Sequence, residues 1–207
     1  MKKIVFILIG IVLVGCGSTK SKTKPKLPPK TTCAEDAKIY DQDSSFELNT
    51  LTSLDSLSYA TTYIRFSTQT DSLEKDQIRY KLGKTSQKVA LKVFPTIQLT
   101  DASILLGKNY NEIVGPILRL KDGEARQEDF EVLAIPNNNT DLQLFIEVQS
   151  YAGDGIFVNY ISIFVMDTKK QELKYYDFIK YKCDPRDETM FMKTLYYGIN
   201  KLKNSIK

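Results

Sequence analysis

In the last part of the chain apolar side chains return every third or fourth residue. Phe191, Leu195, Ile199, Leu202 and Ile206 follow steps of four, four, three and four, which is one stripe of an α-helix. The spacing predicts a C-terminal helix with Asp184 as N-cap, Pro185 at its first position, and Asp187 and Glu188 at the positive end of its dipole. Upstream the period is two. Tyr59, Thr61, Tyr63 and Arg65 alternate with Ala60, Thr62, Ile64 and Phe66; Ile78, Tyr80 and Leu82 continue the alternation, and Val89, Leu91 and Val93 repeat it before Pro95. These segments are expected to be half-buried antiparallel strands. Leu106, Tyr110, Ile113 and Ile117 predict a mid-chain helix over about 102–114, started by Asp101 and ended or kinked at Gly115-Pro116. Residues 130–135 read as a strand and 136–139 as its turn. Residues 142–149 and 156–166 are the most apolar stretches after the N-terminus, joined by a glycine-containing hairpin loop. The second is apolar on both faces, so it is expected at the sheet centre with both sides covered. Residues 173–182 make a tyrosine-rich strand, and 34–57 an irregular lead-in. The predicted fold class is α+β: one domain over 33–207, a mostly antiparallel sheet with a mid-chain helix and a C-terminal helix packed on it.

A different pattern opens the chain. Lys2 and Lys3 precede an apolar run over residues 4–14, then Gly15 and Cys16. A basic n-region, a short apolar core and small residues at the cut site are the parts of a secretory signal over 1–15. The run has about half the ~20 apolar residues a membrane-spanning helix needs. Leu13-Val14-Gly15-Cys16 resembles the lipobox of bacterial lipoproteins. The resemblance implies cleavage before Cys16, a diacylglycerol on its thiol, and an acyl chain such as palmitate on the new amino group. Two or more chains anchor stably where one is marginal. The alternative is a secreted protein with an incidental cysteine. Residues 17–32, GSTKSKTKPKLPPKTT, are too polar and proline-rich to pack and read as an extended tether. Gly17 in place of an aspartate after the lipidated cysteine implies the outer membrane of a Gram-negative envelope.

This division reassigns the charge. The whole chain is basic, with a pI near 8.8. Residues 1–32 hold seven of the 29 basic residues and no acid, which leaves 22 basic against 25 acidic and a formal charge of −3 for the domain. A nucleic-acid-binding domain carries its own basic cluster, so no nucleic-acid partner is expected. With Cys16 acylated, Cys33 and Cys183 remain as a candidate disulfide in an oxidising periplasm, the alternative being two buried thiols.

Little in the sequence points to catalysis. The chain has no histidine, the commonest general base and metal ligand. It has no nucleophile elbow, phosphate loop or zinc-spaced cysteines. No cofactor and no metal is expected; Asp41-Gln42-Asp43 offers too few oxygens for calcium. Glu147 reads as an edge or solvent-face carboxylate, the alternative being an acid with a raised pKa. Tyr175, Tyr176, Tyr181, Tyr196 and Tyr197 are either an interaction surface or strand–helix packing. Asp55-Ser56-Leu57 and Asp71-Ser72-Leu73 resemble the O-glycosylation sequon of some Gram-negative envelopes, which makes Ser56 and Ser72 candidate sites.

The order strand, helix, strand, three-strand meander and terminal helix resembles envelope domains such as the N-terminal domain of the Tol-Pal protein and the curli secretion lipoprotein. The run ISIFVMDTKKQELKYYDF over residues 161–178 carries the likeness. The chain departs from them in lacking a helix before the first meander strand. The resemblance implies a non-catalytic envelope component. The expected function is a lipid-anchored accessory or structural subunit acting through contact with an envelope protein. Alternatives are a solute- or glycan-binding lipoprotein and an enzyme built on paired carboxylates.

Overall fold

The computed structural model describes residues 33, 39–41, 51, 53–66, 72–99, 110–133, 140–153, 156–167 and 169–206. The candidate signal, Cys16 and the tether lie outside these residues, as do Gln42, Asp43 and the turn at 136–139. The described chain forms β1 (Ile39–Asp41), β2 (Leu57–Phe66), α1 (Ser72–Val93), β3 (Gln98–Leu99), α2 (Tyr110–Lys121), α3 (Gln127–Leu133), β4 (Leu142–Gly153), β5 (Ile156–Asp167), β6 (Glu172–Lys182) and α4 (Glu188–Asn204). The class is α+β. One sheet runs β1-β6-β5-β4-β2-β3. Its β1, β6, β5 and β4 are antiparallel neighbours, whereas β2 lies parallel to both β4 and β3. Parallel neighbours need a crossover, and α1 supplies it between β2 and β3. The meander is in close register from Gly153 opposite Ile156 to Leu142 opposite Asp167.

Helices approach both faces of the sheet. On one, Leu144, Ile146, Val148, Ile161, Ile163, Val165, Ile179 and Tyr181 pack under α1 and α4. The α4 stripe of Phe191, Leu195, Ile199 and Leu202 is fully buried there. On the other, Phe145 stacks on Phe164 at 4.9 Å, and α2 approaches β6 with Lys121 over the Tyr176 ring. The sheet centre is therefore dry on both sides. Seven consecutive β5 residues, 161–167, are buried, as the two-sided apolar pattern predicts.

Three predicted elements differ. The strands expected around Ile78 to Leu82 and Val89 to Val93 are a single helix, α1. Its buried side is Leu82, Thr85, Ser86, Val89, Ala90 and Val93, which is helical spacing, while Tyr80 is 70% exposed. Thr85 and Ser86 interrupt the apolar stripe with buried polar groups. Ser86 satisfies its hydroxyl on the Leu82 carbonyl at 2.9 Å, so a polar residue costs little on that face. The strand expected at 130–135 is α3, which fills the position before the meander where no helix was expected. Its start is fixed by Asp129, whose Oδ2 accepts the Arg126 amide at 2.9 Å, one half of a capping box. Asp129 also binds the Arg119 guanidinium, Nε at 3.0 Å, which ties α3 to α2.

Gly115-Pro116 does not end the mid-chain helix: α2 runs through it to Lys121. Proline there deletes one backbone bond, and buried Pro116, Ile117 and Leu120 with the Arg119–Asp129 pair hold the turn that follows. The predicted start of this helix over 102–109 lies outside the described residues. The C-terminal helix begins three residues later than predicted, with Asp187 rather than Asp184 as N-cap. Asp184 instead opens a turn, its carbonyl accepting the Asp187 amide at 2.9 Å.

Two predictions follow from packing. Gly198 lets α4 touch the sheet, because a Cβ there would fall on the δ-methyls of Ile163 and Ile179. Gly198→Val should lower unfolding stability by about 1–3 kcal/mol in chemical denaturation. The Arg119 hydrogen bonds hold the Asp129 carboxyl below its ordinary range. A carboxyl depressed on folding contributes stability above its unfolded value, and loses it as pH falls through the folded value. Asp129→Asn should therefore cost about 1–3 kcal/mol at neutral pH, and its difference from wild type should shrink as pH falls below the ordinary aspartate value of about 4.

Candidate functional site

The densest concentration of chemistry lies where β6 meets α4. Strand β6 ends at Lys182, and Cys183 forms a disulfide with Cys33, with Cα atoms 5.7 Å apart and 150 residues between them. Asp184-Pro185-Arg186-Asp187 then turns the chain into α4. Asp184, buried, takes both Nε (2.9 Å) and the terminal nitrogen (2.7 Å) of Arg186, and its Oδ1 also accepts the Arg186 amide. Proline at the second turn position presets the backbone for this reversal. Asp187 accepts the amides of Thr189 at 3.1 Å and Met190 at 3.2 Å through Oδ1, and that of Cys33 at 3.0 Å through Oδ2. One carboxylate thus caps α4 and holds the start of the domain. Asn159 donates to the Cys183 carbonyl at 2.6 Å from beneath.

Cys33, Cys183 and Asp187 place one ligand atom each within 4.8 Å of one another. The sulphurs are bonded together, leaving no thiolate for a metal, and the carboxylate is taken by three amides. The arrangement is a structural clamp. Beside it runs a groove of about 230 Å³ between α1 and the first turn of α4, lined by Gln77, Ile78, Lys81, Leu82, Thr85, Arg186 and Glu188. Glu188 is bound there by Lys81 at 3.0 Å and Thr85 at 3.3 Å, and the Lys81 contact holds its carboxyl below the ordinary range.

The five C-terminal tyrosines do not share one surface. Tyr175 and Tyr181 belong to the core under α1 and α4, so as interaction residues they are replaced by packing. Tyr181 is wholly buried, and burial pushes its hydroxyl well above the ordinary range. Tyr176 is half-buried on the opposite face. Tyr196, half-buried beneath Lys92, and Tyr197, 40% exposed beside Lys201, lie on α4. Glu147 is not a solvent-face group: it is 4% exposed, accepting Ser162 Oγ at 3.1 Å and Gln149 Nε2 at 2.7 Å on the face that α2 approaches. The alternation of apolar residues in β4 hid this, because both faces of the strand are buried. Ser56 is half-buried in the turn before β2, and Ser72 is the first residue of α1. Among the described residues no helix is long and apolar enough to cross a membrane.

No protein-family model matches the chain, and no curated protein matches it by sequence. Among solved structures it is similar to a PelC dodecamer from Paraburkholderia phytofirmans, at 10% identity over 78% of this chain and 93% of that one, TM-score 0.40. It is also similar to lipoprotein GNA1162 from Neisseria meningitidis, at 10% identity over 72% and 97%, TM-score 0.36. The LpoB C-terminal domain from Salmonella enterica aligns at 8% identity over 59% and 78%, TM-score 0.29. Likeness of this degree carries no functional conclusion.

The clamp makes a direct prediction. Asp187→Ala removes the acceptor of three amides and should lower Tm by about 4–8 °C, read by circular dichroism. Asp187→Asn, which keeps a capping oxygen, should lose much less.

Proposed function

We propose that the protein is a cell-envelope lipoprotein, acylated at Cys16 and held on the outer membrane of a Gram-negative bacterium, whose single domain over 33–207 works by contact with another envelope protein. The observation that carries this reading is the Cys33–Cys183 disulfide. A structural bridge belongs to an oxidising compartment, and it accounts for both cysteines of the domain, leaving Cys16, behind a signal-like run, for lipid. The tether then ends at a covalently fastened residue. A non-catalytic role is supported by the composition and by the engagement of the polar groups at the β6–α4 corner in turns, caps and ion pairs.

A solute- or glycan-binding lipoprotein is the second reading, favoured by the groove between α1 and α4. Its 230 Å³ falls below the ~300–1,000 Å³ of ordinary ligand pockets, and a bound pair, Lys81–Glu188, crosses it.

Cys16→Ser should move the protein from the membrane fraction to a soluble or unprocessed form on fractionation. Unchanged membrane retention would refute the anchor. Isolation of the acylated protein in mild detergent should recover a second envelope protein; recovery of the chain alone, together with a saturable small ligand in the groove, would favour the second reading.

A further inference from the structure

The sheet face opposite α1 and α4 is unevenly covered. Along β4 its side chains pass from buried Gln143, Phe145 and Glu147 to half-buried Gln149 and exposed Tyr151. Along β6 they pass from Tyr176 beneath Lys121 to half-buried Phe178 and Lys180 and exposed Lys182. The open half is the half nearest the disulfide.

Its surface is built in one piece. Tyr151 meets Tyr160 edge to face at 5.9 Å, and Tyr160 stacks on Phe178 at 5.3 Å, a row of rings across three strands. The Lys180 ammonium lies 5.7 Å from the Tyr160 ring centre, and Lys182 stands opposite Val158 one step further out. Among the described residues of β4, β5 and β6 beyond the Glu147 row, no carboxylate shares this half-face. Tyrosine joins an apolar ring to a polar tip, a combination suited to the boundary between headgroups and acyl chains. Lysines beside it suit phosphate.

We infer that this tyrosine–lysine half-face is a membrane-docking surface that rests the domain on anionic phospholipid headgroups. The inference rests on the lipid anchor proposed above, and the position of Cys33 is its second support. The chain outside the structure joins the domain at the disulfide end of the sheet, so the sixteen residues from 17 to 32 connect this end to Cys16. Sixteen residues reach no further than about 53–58 Å even at full extension. The open half-face is thereby held at an effective concentration that makes individually weak headgroup contacts sufficient. The opposite charges of a lysine-bearing face, on which the described residues of β4, β5 and β6 place no carboxylate, and of an anionic leaflet select the bilayer as occupant.

The test uses the acylated full-length protein in vesicles of phosphatidylcholine with about one-quarter phosphatidylglycerol, and in phosphatidylcholine alone. Flotation reports the anchor; amide hydrogen exchange reports docking. On anionic vesicles exchange in residues 149–153, 156–160 and 178–182 should slow by on the order of tenfold relative to neutral vesicles, and the effect should fade as salt is raised. Lys180→Glu with Lys182→Glu should abolish the slowing while the protein still floats and α4 keeps its protection. Lys180→Arg with Lys182→Arg should retain it. Equal exchange on the two vesicle types, with flotation intact, would overturn the docking surface and leave the anchor standing. Slowing seen only in native membranes would overturn it in favour of a protein occupant. Failure to float would instead overturn the anchor.

Discussion

The Cys33–Cys183 bridge and the Asp187 carboxylate beside it hold together what the rest of the domain arranges. The bridge closes a loop of 150 residues, and in the chain-entropy account such a loop contributes on the order of 4–5 kcal/mol by restricting the unfolded chain. Asp187 works on the same corner from the folded side. By accepting amides from Thr189, Met190 and Cys33 it joins helix initiation to the fastening of the N-terminus. The flanking strand β1 pairs with β6 over only three residues, Ile39 to Asp41 opposite Tyr181 to Ile179. A short edge strand is a weak fastening, so force or thermal fraying arriving from the N-terminal side meets the disulfide before it meets the sheet.

The buried polar groups show how a small domain covers both faces of one sheet. Asp177 is nearly inaccessible yet lies under α4, where Lys201 reaches it at 3.0 Å. Glu147 occupies the opposite face and is met by Ser162 and Gln149. A carboxylate left alone in either place would carry a large desolvation cost; Lys201 offsets it for Asp177 only while α4 lies on that face, whereas the partners of Glu147 belong to the sheet itself. Arg119 does for Asp129, between α2 and α3, what Lys201 does for Asp177. Apolar area drives the layers together; these contacts choose the arrangement.

Some elements were legible because one physical signal dominated them. The α4 positions Phe191, Leu195, Ile199 and Leu202 are apolar at every helical step and entirely buried, and β4 and β5 are apolar over lengths that suit strands. The helix α1 is masked in the sequence because its buried side contains Thr85 and Ser86, while Ile78, Tyr80 and Leu82 imitate a strand over five residues. Local alternation and helical spacing coincide over so short a window, and only contact with α4 and β2 resolves them. The helix α3 is masked for a related reason: its stabilising partner, Arg119, is ten residues away on another element. The sequence favours Asp184 as cap because Pro185 suits a first helical position, but Pro185 is used in a turn that passes the cap on to Asp187.

By itself the sequence determined composition-level and periodic properties: the α+β class, the basic first 32 residues and the slight acidic excess of the rest, the apolar meander, and the terminal helix. Each depends on neighbours within a few residues, or on counts. The tertiary structure alone decided the parallel placement of β2, the burial of Glu147, Tyr175 and Tyr181, and the open half-face carrying Tyr151, Tyr160, Lys180 and Lys182. The reason is that exposure belongs to a face of the assembled sheet. It depends on where α1, α2 and α4 come to rest, and contacts between residues far apart in the chain set those positions.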